Sequence, residues 1–127
     1  MKQEIIRTPE APEPVGPYSQ GVRAGPFLFL SGQVAVDPES GDLTEGDIRA
    51  QTKKVLENAK AIVKAAGARL ENVIKVTAFL ANAEDYPGMN EAYGSYFRRA
   101  KPARTTVVSQ LPNPKMLVEM DFIVLVS

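Results

Sequence analysis

The alternation of apolar and polar positions changes period several times along the chain, and each change marks an element. Gln3 to Arg7 carries two β-branched isoleucines and reads as a short strand. Thr8 to Pro17 holds Pro9, Pro12, Pro14 and Pro17, which forbid regular structure and make a stiff connector. Gln20 to Ala24 and Phe27 to Val36 read as strands joined by a tight turn at Gly25-Pro26. A second turn follows at Asp37 to Gly41. From Asp47 to Ala66 the period becomes helical: Ile48, Thr52, Val55, Ala59, Ile62, Val63 and Ala66 share one face. Thr44 and Asp47 resemble a capping box ahead of this helix, and Gly67 is a natural stop behind it.

Val73 to Leu80 alternates, with Ile74, Val76, Ala78 and Leu80 on one face and Lys75 and Thr77 on the other, as a strand does. Asp85 to Phe97 is helical again, with Pro87 in its first turn. Beyond Pro102, Arg104 to Ser109 is rich in β-formers, Pro112-Asn113-Pro114 is a turn, and Leu117 to Val126 is the last strand. Its face of Val118, Met120, Phe122, Val124 and Val126 is wholly apolar and belongs under the helices. Its opposite face, Leu117, Glu119, Asp121, Ile123 and Leu125, mixes aliphatics with two acids. Two helices then cover one face of a roughly six-stranded sheet. The partly apolar face left over predicts a symmetric oligomer. Nothing divides residues 1–127, so a single domain is expected.

Composition narrows the chemistry. The 127 residues include no cysteine and no histidine, which excludes disulfides, cysteine nucleophiles, Ser-His-Asp triads and the usual zinc sites. Fifteen basic and fifteen acidic residues give a formal net charge of zero, without a basic cluster, so nucleic acid is not the expected partner. No apolar run is long enough to span a bilayer and no signal peptide is evident, so a cytoplasmic location is expected.

The remaining candidates are a few residues where a purely structural role is strained. Arg104 follows a proline and enters a strand. A rigid backbone suits two-pronged recognition of a carboxylate, although a solvated strand-end arginine fits the same pattern. Glu119 sits mid-strand and needs a partner, as a base that positions water or in an ion pair between subunits. Asn90 lies on the apolar stripe of the second helix with Tyr86, Tyr93 and Phe97, where it caps a loop or touches a ligand. Ser31 bonds a ligand or a neighbouring strand, and Gly32 marks a bulge or a close backbone approach. Tyr18 ends the proline connector as a pocket wall or a loop anchor.

Six segments, in order, carry a resemblance: Gly16-Pro17-Tyr18-Ser19-Gln20, Ser31-Gly32-Gln33, Val73 to Thr77, Asn90-Glu91-Ala92-Tyr93, Pro102-Ala103-Arg104 and Val118-Glu119-Met120. The chain resembles the RidA/YjgF/YER057c/UK114 family over nearly its whole length. The resemblance implies an α+β, chorismate-mutase-like (RidA-like) fold with a mixed sheet and two helices on one face. It implies a homotrimer with a central barrel and clefts between subunits. The implied activity is hydrolysis of 2-imino and enamino acids (2-aminoacrylate, 2-aminocrotonate) to 2-keto acids and ammonia, without cofactor or metal. In that scheme Arg104 grips the substrate carboxylate, Ser31 and Gly32 bind the same end, and Glu119 positions or activates water. Tyr18, Asn90 and Thr106 line the cleft. Thr106 stands where many relatives have cysteine. The stretch Val107 to Lys115 also departs from the family pattern, while the separation of Arg104 from Glu119 is kept. Non-catalytic ligand binding and ribonuclease activity are the competing functions.

Overall fold

A computed structural model describes residues 2–126. The strands are β1 (Gln3–Ile6), β2 (Gly21–Ala24), β3 (Phe27–Gln33), β4 (Val73–Leu80), β5 (Ala103–Val108) and β6 (Val118–Leu125). The helices are α1 (Ile48–Ala65) and α2 (Tyr86–Tyr96). The strands form one mixed sheet in the order β1-β2-β3-β6-β4-β5. All pairings are antiparallel except β4 with β5, which are parallel and joined through α2. β5 therefore ends the sheet, paired on one side only.

Both helices lie on one face. Val118, Met120, Phe122, Val124 and Val126 point into the core, none more than 4% exposed. They pack under Val55, Leu56, Ala59, Ile62 and Val63 of α1, joined by Leu28 and Leu30 of β3 and Val76, Ala78 and Leu80 of β4. Removing this much apolar surface from water drives the fold.

Three expectations are corrected. Thr44 does not cap α1: the helix begins at Ile48, and the Thr44 backbone N–H that a capping box would pair with Asp47 donates to Ala35 O instead. Asp47 is the cap, accepting from Ala50 N at 3.0 Å. In β4, Ile74 faces outward and Val73 inward, because the pairing with β6 shifts register between Val73 and Lys75. The strand expected to reach Val36 stops at Gln33, and its pairing with β6 shifts between Leu30 and Gln33.

Polar groups buried by α1 fix the surrounding loops. Gln51 donates to Lys115 O and accepts from Leu117 N, and Asn58 donates to Val34 O and Val36 O. Gln20, 2% exposed, accepts from Thr8 N and donates to Thr8 O, Ala11 O and Pro12 O, which fastens the proline connector. Gly88 lets α2 lie against α1, since a Cβ there would stand 2.6 Å from Ile48 Cγ2. Among the described residues no helix is long and apolar enough to cross a membrane.

Candidate active site

The parallel pairing places Arg104 of β5 beside the buried Val76 of β4, on the helix face of the sheet. Its guanidinium reaches under α2. Arg104 Nη2 donates to Asn90 Oδ1 at 2.7 Å and to Tyr86 Oη at 3.2 Å. Arg104 Cζ lies 4.7 Å from the centre of the Tyr93 ring and 5.6 Å from that of Tyr86, within cation–π range. Among the described residues no carboxylate lies within ion-pair distance of it. A half-buried arginine held by neutral groups alone retains its full positive charge for an incoming anion.

That guanidinium faces a cleft of about 340 Å³ lined by Leu80, Ala83, Tyr86, Thr106, Val107 and Val108. Thr106 lines this wall, its Oγ1 buried and without a hydrogen-bond partner among the described residues; the Tyr93 hydroxyl is likewise buried and unpartnered. Burial pushes the Tyr93 phenol above its ordinary range, against the pull of Arg104. Tyr86 moves the other way, held below its ordinary range by Asn90 and then Arg104.

A second group forms on the opposite face. Glu119 alternates with the buried Val118 and Met120, so its side chain leaves the open face of the sheet. A Cβ on Gly32 would collide with the Glu119 carboxylate, so glycine in the β3 irregularity makes room for it. Burial raises the Glu119 carboxyl above the usual carboxylate range, and the charge of Asp121 raises it further. Ser31 Oγ donates to Ser19 O at 2.5 Å, and Ser31 N donates to Gln20 O. Ser31 thereby ties this region to the end of the proline connector. Tyr18 is half exposed, bonded from Val15 N to its hydroxyl at 3.4 Å, and lines a different hollow with Ile5, Pro14 and Gln20.

Arg104 and Thr106 therefore line one cleft with Asn90 bonded to the arginine, while Gly32 lies against Glu119 on the other face and its neighbour Ser31 bonds Ser19, next to Tyr18. The sheet separates the two groups within one protomer. Tyr86 and Tyr93 were not singled out as site residues from sequence. Their signal was their spacing from Asn90 on the α2 stripe, four residues before and three after.

Comparison with known proteins agrees with the fold and the ordered motifs. The family model described as endoribonuclease L-PSP matches residues 8–126. A RutC family protein of Pyrococcus abyssi is 50% identical over 124 residues, covering 97% of each chain. A protein of Dermatophagoides farinae named 2-iminobutanoate/2-iminopropanoate deaminase is 39% identical over 126 residues, covering 98% of each. Among solved structures, Escherichia coli TdcF with bound serine superposes with a TM-score of 0.92 at 38% identity, covering 98% of this chain and 99% of that one. The chain belongs to the endoribonuclease L-PSP family, the RidA/YjgF family whose motifs it carries in order.

Proposed function

We propose that the protein hydrolyses small 2-imino and enamino acids, such as 2-aminoacrylate and 2-aminocrotonate, to 2-keto acids and ammonia. The observation that carries this reading is Arg104: a charged guanidinium on a rigid strand, supported by Asn90 and two tyrosines, with no acidic partner among the described residues, at the wall of a small cleft. Such a group suits the carboxylate of a small organic acid. The deaminase name of the Dermatophagoides farinae relative supports the same chemistry.

The reaction asks little more of the protein. The enamine tautomerises to the imine, whose carbon is already electrophilic. Water adds to that carbon as its proton passes to a base. The base returns that proton to the carbinolamine nitrogen, the C–N bond breaks, and as ammonia leaves the hydroxyl passes its own proton to the base and becomes the carbonyl. Glu119 suits the shuttle, since a glutamate with a raised pKa both accepts the proton of water and returns it to nitrogen. Holding a small anion and a water in register supplies the rest.

Arg104 and Glu119 stand on opposite faces of one sheet, so a site that uses both is assembled from two copies of the chain. The open face favours such assembly. It exposes Phe27, Phe29 and Leu125, each between 39% and 46%, around Glu119 and Asp121 on the same side. The subunits form a homotrimer in this reading, with the Arg104 cleft of one completed by Glu119, Ser31, Gly32 and Tyr18 of the next. The protein works as a cytoplasmic scavenger of reactive imines released by other enzymes.

The ribonuclease activity in the family's description has less support here. Among the described residues Arg104 is the one cation lining the cleft, and the formal net charge is zero.

The test is imine hydrolysis, measured as release of pyruvate from 2-aminoacrylate generated in the assay by a serine dehydratase, with semicarbazide trapping the remainder. Arg104→Ala is expected to lower kcat/KM by about 100-fold or more, the loss of about 3 kcal/mol in charged hydrogen bonds, with the fold intact. Full activity in that variant overturns the site. A wild-type protein that binds 2-ketobutyrate and does not accelerate hydrolysis is a ligand-binding protein instead.

A further inference from the structure

Both hydrogens of the Arg104 Nη2 group are engaged inside the protomer, one with Asn90 Oδ1 at 2.7 Å and the other with Tyr86 Oη at 3.2 Å. That nitrogen belongs to both edges through which a guanidinium grips a carboxylate with parallel bonds: Nη2 with Nε, and Nη2 with Nη1. While both hydrogens are committed, neither edge is free. A two-pronged grip therefore requires one acceptor to give way.

The surroundings decide which. The Asn90 bond is short and part-buried. The Tyr86 bond is longer and exposed, and Tyr86 itself is 44% exposed on the cleft wall. A bond open to water is the less costly to exchange. The two acceptors also differ in what they offer an anion. An amide oxygen accepts only and repels a carboxylate. A phenol that accepts from arginine keeps its own O–H free to donate.

We propose that Tyr86 is a carboxylate-binding residue: its hydroxyl occupies one prong of Arg104 in the empty site, yields that prong to the incoming carboxylate, and donates its own hydrogen to the same anion. This rests on the reading of Arg104 as the carboxylate anchor and adds a ligand to it. Asn90 keeps its bond throughout and fixes the plane of the guanidinium. Exchange of this kind leaves the Arg104 charge hydrogen-bonded in both states.

Calorimetric titration with 2-ketobutyrate tests it in wild type, Tyr86→Phe and Arg104→Ala, beside a spectrophotometric titration of the tyrosines with and without the ligand. The Tyr86→Phe protein is expected to bind about five- to tenfold more weakly, the worth of one hydrogen bond to an anion less the gain from freeing Nη2. Its KM for the imine rises in parallel while kcat stays within about twofold. In wild type the ligand shifts Tyr86 to ionise at higher pH, because the phenol loses Arg104 and gains an anion; in Tyr86→Phe that component is gone and only the shift of Tyr93, which also feels Arg104, remains. Wild-type or tighter binding by Tyr86→Phe, with binding lost in Arg104→Ala, overturns the role of Tyr86 and leaves the anchor standing. Wild-type binding by Arg104→Ala overturns both.

Discussion

Glu119 shows how far a single residue's surroundings constrain its chemistry. Its carboxyl is raised by burial and by Asp121, and it faces Gly32 on β3 and Phe79 on β4. In the proposed two-subunit site, a substrate carboxylate would offset the Arg104 charge of the neighbouring copy and leave burial and Asp121 in control. The base form of a raised glutamate is lost as pH falls through its raised value. The acidic limb of the kcat profile is therefore expected above the ordinary glutamate range, and a pH–rate series checks it. Glu119→Gln removes that limb along with about 100-fold or more of turnover. Gly32→Ala tests the same carboxylate from its neighbour. The new methyl meets the far end of the Glu119 side chain, which swings away at little cost to the fold. Activity is expected to fall by about tenfold or more, while the midpoint of thermal unfolding changes by about 2 °C or less.

Sequence reading reached some of these residues and missed others for physical reasons. Arg104, Asn90 and Glu119 stood out because each is a polar group in an apolar pattern, which burial makes costly unless it is partnered. Tyr86 and Tyr93 fitted the stripe of α2 as apolar residues, and only the fold reveals their contact with Arg104. Ser31 could serve a ligand or a strand by pattern; within the protomer its hydroxyl proton is spent on Ser19 O.

At the scale of elements, periodicity located every strand and both helices. The core face of β6 followed directly from alternation, because a strand buried on one face has side chains of period two. The errors fall where the backbone departs from that regularity. Alternation placed Ile74 inward, and a register shift turned it out. Sheet order was not legible either: β6 lies between β3 and β4, a long-range pairing that local pattern does not encode. The close approach of α2 to α1 depends on Gly88, and through α2 it supports Asn90 and Tyr86. Gly88→Ala is expected to lower unfolding free energy by about 1 kcal/mol, because overpacking against Ile48 exceeds the gain in helix propensity. Urea denaturation followed by circular dichroism checks it; a stabilised variant contradicts the packing argument.

For the whole molecule, the sheet divides the proposed chemistry between its faces. The helix face and edge strand β5 carry the proposed anion-binding half, Arg104 with Asn90 and Tyr86. The open face carries Glu119 amid exposed aromatic and aliphatic side chains. In the proposed scheme neither half acts alone, and closing one copy against the next would join them while burying the apolar face. Complementation between two inactive variants tests this most directly. Arg104→Ala and Glu119→Ala proteins are each purified, then unfolded together in equal amounts and refolded. If each site takes its arginine from one subunit and its glutamate from the next, random mixing restores about a quarter of wild-type imine hydrolysis. If the mixture stays as inactive as its two components while assembling normally, the shared site is wrong.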